Sequence, residues 1–239
     1  MRLFYLPECD YQVGRVVALP QPLQHHLVQV LRLGAGARIR LCDGQGLVAQ
    51  ALLVGQSRAE IEEVTRYPPP DCQLTLIQGV PKGDKLDLIL QKGTELGINR
   101  FVLVTLQQSV GQLKAERRQK QLQRWQRIVQ EAARQSGQFY LPEVAVAATF
   151  EDALQAAAGE CRLLLWENGN QSLAQQLPPE RPESMAVVVG PEGGITSAEV
   201  ERAERFGFVP VKLGQRILRT ETAGLAIMAI LQYLYGDLG

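Results

Sequence analysis

The spacing of apolar residues changes along this chain. Up to residue 67 they come in short, partly alternating runs bounded by glycine. Arg15–Leu19, Ala37–Cys42, Leu47–Val54 and Ala59–Thr65 read as strands, and Asp43-Gly44-Gln45-Gly46 is a strong hairpin signal. Leu23, Leu27, Val30 and Leu31 recur at helical spacing and predict one short helix over Pro22–Leu31. The expectation is a small β-rich unit closed as a compact barrel. Pro68-Pro69-Pro70 can continue neither a helix nor a sheet interior, so the domain boundary is placed there, giving 1–70 and 71–239.

Beyond the prolines, apolar runs alternate with helical patterns. Leu74–Val80, Phe101–Leu106, Arg162–Trp166, Ala186–Val189 and Val209–Leu213 have the near-continuous apolar character of strands buried on both faces. Asp84–Leu96 places Leu86, Ile89, Leu90 and Leu96 on one helix face and stops at Gly97. Ala115–Gln135 is a long amphipathic helix with Leu122, Trp125, Ile128, Val129 and Ala132 inward. Thr196-Ser197-Ala198-Glu199 has capping-box spacing and opens a helix to Phe206. Glu221–Tyr235 is mostly apolar and should pack in the core or against another subunit. This is an α/β pattern with a mainly parallel sheet.

Composition narrows the function classes. The chain has 239 residues, 46% of them hydrophobic, enough for a core. No apolar run nears the roughly 20 residues that span a bilayer, and the start lacks a secretion signal, so a cytoplasmic protein with no membrane role is expected. Cys9, Cys42, Cys72 and Cys161 are scattered and the two histidines are adjacent, a poor ligand set, so no metal is expected. His25 and His26 read as barrel packing or hydrogen bonding rather than RNA contacts. Twenty-five basic and twenty-five acidic side chains cancel, yet residues 114–134 hold seven basic and two acidic ones. Such a stripe suits limited contact with a polyanion, although an isolated basic run is more often a solvated helix face.

Two segments carry candidate chemistry. Ala186–Val189 leads into Gly190-Pro191-Glu192-Gly193-Gly194 and then a helix start, the strand-end position where open α/β sheets bind ligands. A tight turn without ligand is the alternative. Lys212–Ala223 repeats the arrangement: strand, glycine turn, polar stretch, apolar helix. Arg219 and Glu221 fall between hydrophobic elements, which is costly unless they are paired or face a cavity. Thr220 reads as the N-cap of the last helix, with Glu221 in its first turn. No Gly-x-Gly-x-x-Gly follows an early strand, and P-loop and nucleophile-elbow patterns are missing, so hydride transfer, P-loop hydrolysis and serine hydrolysis lose their usual signatures.

The glycine turn, together with Leu213-Gly214-Gln215-Arg216-Ile217-Leu218-Arg219-Thr220-Glu221-Thr222-Ala223, resembles the RsmE family of SPOUT methyltransferases. Lys82–Asp87 with Gln91–Gly97 resembles the opening of that family's catalytic domain, and His25–Arg32 with Asp43-Gly44 its PUA-like N-terminal domain. Two positions differ: Gln138 and Gln108 stand where arginine is common in the family.

The resemblance implies methyl transfer from S-adenosylmethionine to N3 of a uridine in 16S ribosomal RNA. It implies a homodimer with a C-terminal trefoil knot, acting on 16S rRNA or the small ribosomal subunit. The cofactor would lie among Leu165-Trp166-Glu167, the Gly190–Gly193 turn with Pro191 and Glu192, and Leu213–Leu218 with Gly214, Ile217 and Thr222. Trp166 reads either as core or as cofactor wall, and Trp125 as core. Uracil N3 must lose a proton to attack, so Arg219 is expected to stabilise the developing oxyanion, and Glu221 to orient Arg219 or take the proton. Arg32, Arg117, Arg118, Arg124 and Arg127 are the candidate RNA contacts. The rivals are a SPOUT relative acting on a ribose 2′-oxygen and a non-catalytic ribosomal RNA-binding assembly protein.

Overall fold

A computed structural model describes residues 2–110, 115–157 and 159–239, without the side chains of 115–117. The chain forms two compact units. The first is Met1–Pro69 with Ala133–Leu141, and the second Pro70–Ala132 with Pro142–Gly239.

In the first unit the strands are β1 (Leu3–Tyr5), β2 (Val16–Ala18), β3 (Arg38–Cys42), β4 (Leu47–Leu53) and β5 (Arg58–Arg66). They form one sheet in the order β1-β3-β4-β5-β2, antiparallel except for β1 beside β3. Alternation sends Ile39, Leu41, Ala49, Ala51 and Ile61 into the core with Phe4 and Leu27. The hairpin joining β3 to β4 is closed by Asp43, whose Oδ1 accepts from the backbone N–H groups of Gln45 and Leu47. The predicted helix near Pro22 is divided: α1 (Gln21–His25) widens into one π-helical turn over His26–Val30. His26 packs edge-on against Phe4, ring centroids 6.0 Å apart, which supports its reading as packing.

The second unit contains β6 (Gln73–Gly79), α2 (Lys85–Glu95), β7 (Arg100–Val104), most of α3 (Ala115–Ser136), β8 (Glu143–Val146) and α4 (Phe150–Ala156). Next come β9 (Cys161–Leu165), β10 (Gln171–Ser172), α5 (Leu173–Gln176), β11 (Ser184–Val189), α6 (Ser197–Arg205), β12 (Val209–Lys212) and α7 (Thr220–Tyr235). The strands make one seven-stranded sheet in the order β10-β12-β9-β11-β6-β7-β8, and every pairing is parallel. Ile77, Val102, Val104, Leu164, Ala186 and Val188 pack with Phe150 and Phe208 in one fully buried cluster. Gly97, at φ 79°, ends α2 as expected. Trp125 is core, 4% exposed. Strand order reverses between β6 and β11: β7 and β8 continue on one side, β9, β12 and β10 on the other. Such a reversal opens a crevice beyond the strand C-termini.

Candidate functional site

The C-terminal ends of β9, β11 and β12 converge on one cleft of about 830 Å³, wholly within the second unit. One wall is Leu165, Trp166, Glu167 and Asn168, following β9. A second is Gly190, Pro191, Glu192, Gly194 and Ile195, following β11. The third runs from Lys212 through Gly214, Ile217 and Leu218 to Arg219, and Thr220 and Ala223 of α7 close the floor. Parallel strands explain the convergence, because all their outgoing loops leave at the same edge.

Local chemistry fixes each wall. Thr196 and Glu199 form the predicted capping box, with both reciprocal bonds present. The Glu199 carboxylate is buried and also accepts from the N–H of Gln107 at 2.8 Å. The Trp166 indole N–H donates to the Ile195 carbonyl at 3.2 Å, so this ring both packs and walls the cleft. At Gly190 a Cβ would lie 2.6 Å from Ile195 Cγ1, so only glycine permits that closure. Gly214 has φ 119° and open space where a Cβ would point, which leaves its backbone facing the cleft.

The helix boundary revises one expectation. The N-cap of α7 is Arg219, with φ −66° and ψ 153°, so Thr220 is already the first helical residue. Its hydroxyl donates to the Gly190 carbonyl at 2.5 Å and accepts from Gln78 Nε2 at 3.0 Å. Thr220 thus joins the start of α7 to the glycine turn and to β6, and it does not cap.

Lys85, at the start of α2, lines the cleft and is, with Asn168, Ile195, Lys212 and Ala223, among the lining residues that sequence reasoning missed as part of the site. Its Nζ lies 2.8 Å from Glu192 Oε1 and 3.6 Å from Glu221 Oε2. The bond to Glu192 is the main reason the ammonium is held above its ordinary pKa. Burial pushes Glu192 up, but hydrogen bonds from Lys85, its own N–H and that of Lys82 outweigh it and hold the carboxyl below its ordinary value.

Three expected site residues, Gly193 and Thr222 around the cofactor and Glu221 in the catalysis, stand apart from the lining. Gly193 turns to the loop after β7, where a Cβ would sit 2.7 Å from Gln108 Cβ. Thr222 is exposed on α7, rotated by the helical period from Thr220 and Ala223. Glu221 lies behind the lining. Among the described residues its ion pair goes to Lys85 of α2 and none to Arg219. Among the basic candidates, Arg118 donates to the carbonyls of Val146 and Ala147, and Arg124 pairs with Asp87. Arg32 and Arg127 are exposed, while Lys114 and the side chain of Arg117 lie outside the described residues. Among the described residues no His, Cys, Asp and Glu cluster could hold a metal, and no helix is long and apolar enough to cross a membrane.

Comparison with known proteins accounts for both units. Residues 68–232 match the RNA methyltransferase domain family, and residues 19–64 the RNA methyltransferase PUA domain family. The ribosomal RNA small subunit methyltransferase E of Bacillus subtilis is 35% identical over 223 residues, covering 87% of this chain and 86% of the relative. That of Synechocystis is 35% identical over 238 residues, covering 95% and 76%. The crystal structure of a ribosomal RNA small subunit methyltransferase E from Neisseria gonorrhoeae, bound to S-adenosyl methionine, superposes with a TM-score of 0.89 at 36% identity, covering 100% of each chain. Matched across both units, with its methyltransferase fold intact, the chain belongs to the ribosomal RNA small subunit methyltransferase E family.

Proposed function

We propose that this protein transfers a methyl group from S-adenosylmethionine to N3 of a specific uridine in the 16S RNA of the small ribosomal subunit. The observation that carries the reading is the convergence of three strand-end segments on one cleft, in a chain of this family. The cleft suits that cofactor. Trp166, Ile217 and Leu218 offer apolar surface, the Gly214 backbone is open, and Glu167 supplies a carboxylate for a cationic ligand. When bound, S-adenosylmethionine supplies a methyl group on a sulfonium, open to in-line displacement.

The chain's own residues do the rest. The backbone of the Gly190–Gly194 turn and of residues 213–218 holds and orients the cofactor, and alignment of this kind lowers a barrier by roughly 7–11 kcal/mol in favourable cases. Arg219, exposed at the cleft mouth, stabilises the negative charge that develops on the uracil oxygen. Glu221, set behind the lining, takes the N3 proton through water, and Lys85 steadies its carboxylate.

The finer architecture follows the same reading. Residues 213–219 share one cleft with 165–168, 190–192 and 194–195, and the start of α7 is bonded to Gly190 and Gln78, which supports a trefoil knot of the SPOUT type. The mixed five-stranded sheet supports a PUA-like barrel that guides RNA. Ile230, Tyr233 and Leu234 expose an apolar strip on α7, which supports a homodimer. A cytoplasmic location fits a ribosomal substrate and four free cysteines, whose thiols burial raises.

The test is mass spectrometry of ribosomal RNA from cells lacking the gene, with and without complementation. Loss and recovery of one N3-methyluridine in 16S RNA is the expected result. A missing ribose 2′-O-methyl group would instead identify the sibling activity, and an unchanged modification pattern would leave only a binding role.

A further inference from the structure

The sheet of the first unit has a second face that is not part of its main core. Arg40 stands opposite Gln50 and Gln50 opposite Glu63, while Cys42 stands opposite Val48 and Val48 opposite Thr65. Strand alternation puts both rows on the face away from Ile39, Leu41, Ala49 and Ala51. Phe139, from the segment that returns to this unit, packs on that face beside Leu3, Cys42 and Val48. The Tyr67 ring lies 4.1 Å from Phe139, centroid to centroid and tilted by 34°, and the Arg40 guanidinium sits 5.7 Å from the centroid of the same ring. Arg40, Val48, Gln50, Thr65 and Tyr67 line a cavity of about 320 Å³.

We propose that this cavity holds one unpaired nucleobase of the RNA substrate, stacked on Tyr67 and bonded along its edge by Gln50, Thr65 and Arg40. A base has a flat π-face and an edge of donors and acceptors. The cavity answers with an aromatic ring, a guanidinium, an amide and a hydroxyl. Glu63 accepts from Gln50 Nε2 at 2.5 Å, which fixes the amide and keeps its oxygen as an acceptor. An apolar peptide anchor would find Val48 as the single aliphatic side chain of the lining, and a lone phosphate would have no use for the ring. The proposal rests on the reading that the substrate is RNA.

The experiment is fluorescence anisotropy of the full chain with single-stranded RNA octamers and abasic octamers of the same backbone. The wild type should prefer base-bearing RNA by about tenfold, the contribution of one stacked base. Tyr67→Ala should lose that preference, and Tyr67→Phe should keep it. Thr65→Phe, at an exposed position, fills the cavity without removing the ring and should also lose it. Equal binding of both octamers by the wild type, or an unchanged preference in Tyr67→Ala and Thr65→Phe, overturns the proposal. Normal anisotropy combined with lost methylation of assembled subunits only would assign the cavity to a protein side chain, and equally overturns it. Cofactor affinity and methylation by the wild type are measured separately, so a failure of the enzymatic reading shows there and not in the octamer ratio.

Discussion

At the scale of single residues the cleft depends on what can approach what. In Gly190→Ala the new methyl group meets Ile195 Cγ1 at 2.6 Å and the Gly194 carbonyl carbon at 3.1 Å. The turn must shift, so a destabilisation of about 1–3 kcal/mol in urea unfolding is expected, with weaker cofactor binding by calorimetry. Arg219 has the opposite profile, being exposed and outside the core. Arg219→Ala should lower the methyl-transfer rate at saturating cofactor by about 100-fold, on the scale of losing one oxyanion donor, while cofactor affinity stays within a few-fold. An undiminished rate would remove Arg219 from the chemistry. A chain of 239 letters made Arg219 legible because it sits in a motif. Lys85 was not legible as a site residue, since its partners Glu192 and Glu221 lie more than a hundred positions away and only the fold joins them.

Between elements, a few polar side chains bind the strand ends together. Gln78, fully buried on β6, donates to Thr220 Oγ1 at 3.0 Å and to the Gly79 carbonyl at 2.9 Å. Thr220→Val leaves Gln78 and the Gly190 carbonyl short of a partner, and chemical denaturation should record a loss of about 1–3 kcal/mol. The bridge from α2 to the glycine turn titrates at both ends. Glu192 is held below its ordinary 4.5, so its contribution is complete above that pH and is lost as pH falls through the lowered value. Lys85 is held above its ordinary 10.5, so its contribution is complete below that pH and is lost as pH rises through the raised value. Stability measured by urea unfolding against pH should therefore carry a contribution from this bridge that is level between these limits and falls on the acid side, and Lys85→Met should flatten that fall.

The same elements show what pattern alone could reveal. Buried strands such as Ala186–Val189 announce themselves by continuous apolar runs, and the α6 capping box by its Thr196…Glu199 spacing. The four-residue β8 and the short β10 and α5 carry too few apolar positions for a period. The helix α4 had a usable signal, since Thr149 and Asp152 form a second capping box. A hydroxyl before an acidic residue is the usual cap pattern, so Thr220 reads as a cap in the sequence. Tertiary bonds to Gly190 and Gln78 claimed that hydroxyl instead.

For the whole molecule, local charge matters more than the formal net charge of zero. Arg32 and Arg127 are exposed, whereas Arg118 and Arg124 have partners within the protein. Neutralising Arg32 and Arg127 together should weaken RNA binding and lower the slope of log affinity against log salt by roughly 1–2, leaving cofactor affinity unchanged. Neutralising Arg118 should chiefly destabilise the fold, because its guanidinium holds the carbonyls that end β8.

The third wall and the floor of the cleft come from Lys212 to Ala223, close to the end of the chain. A polypeptide truncated before that stretch lacks the third wall and the floor together, whatever the loops after β9 and β11 supply. Premature stops before Lys212 should therefore act as full nulls rather than partial ones, as methylation assays of the truncated chain would record.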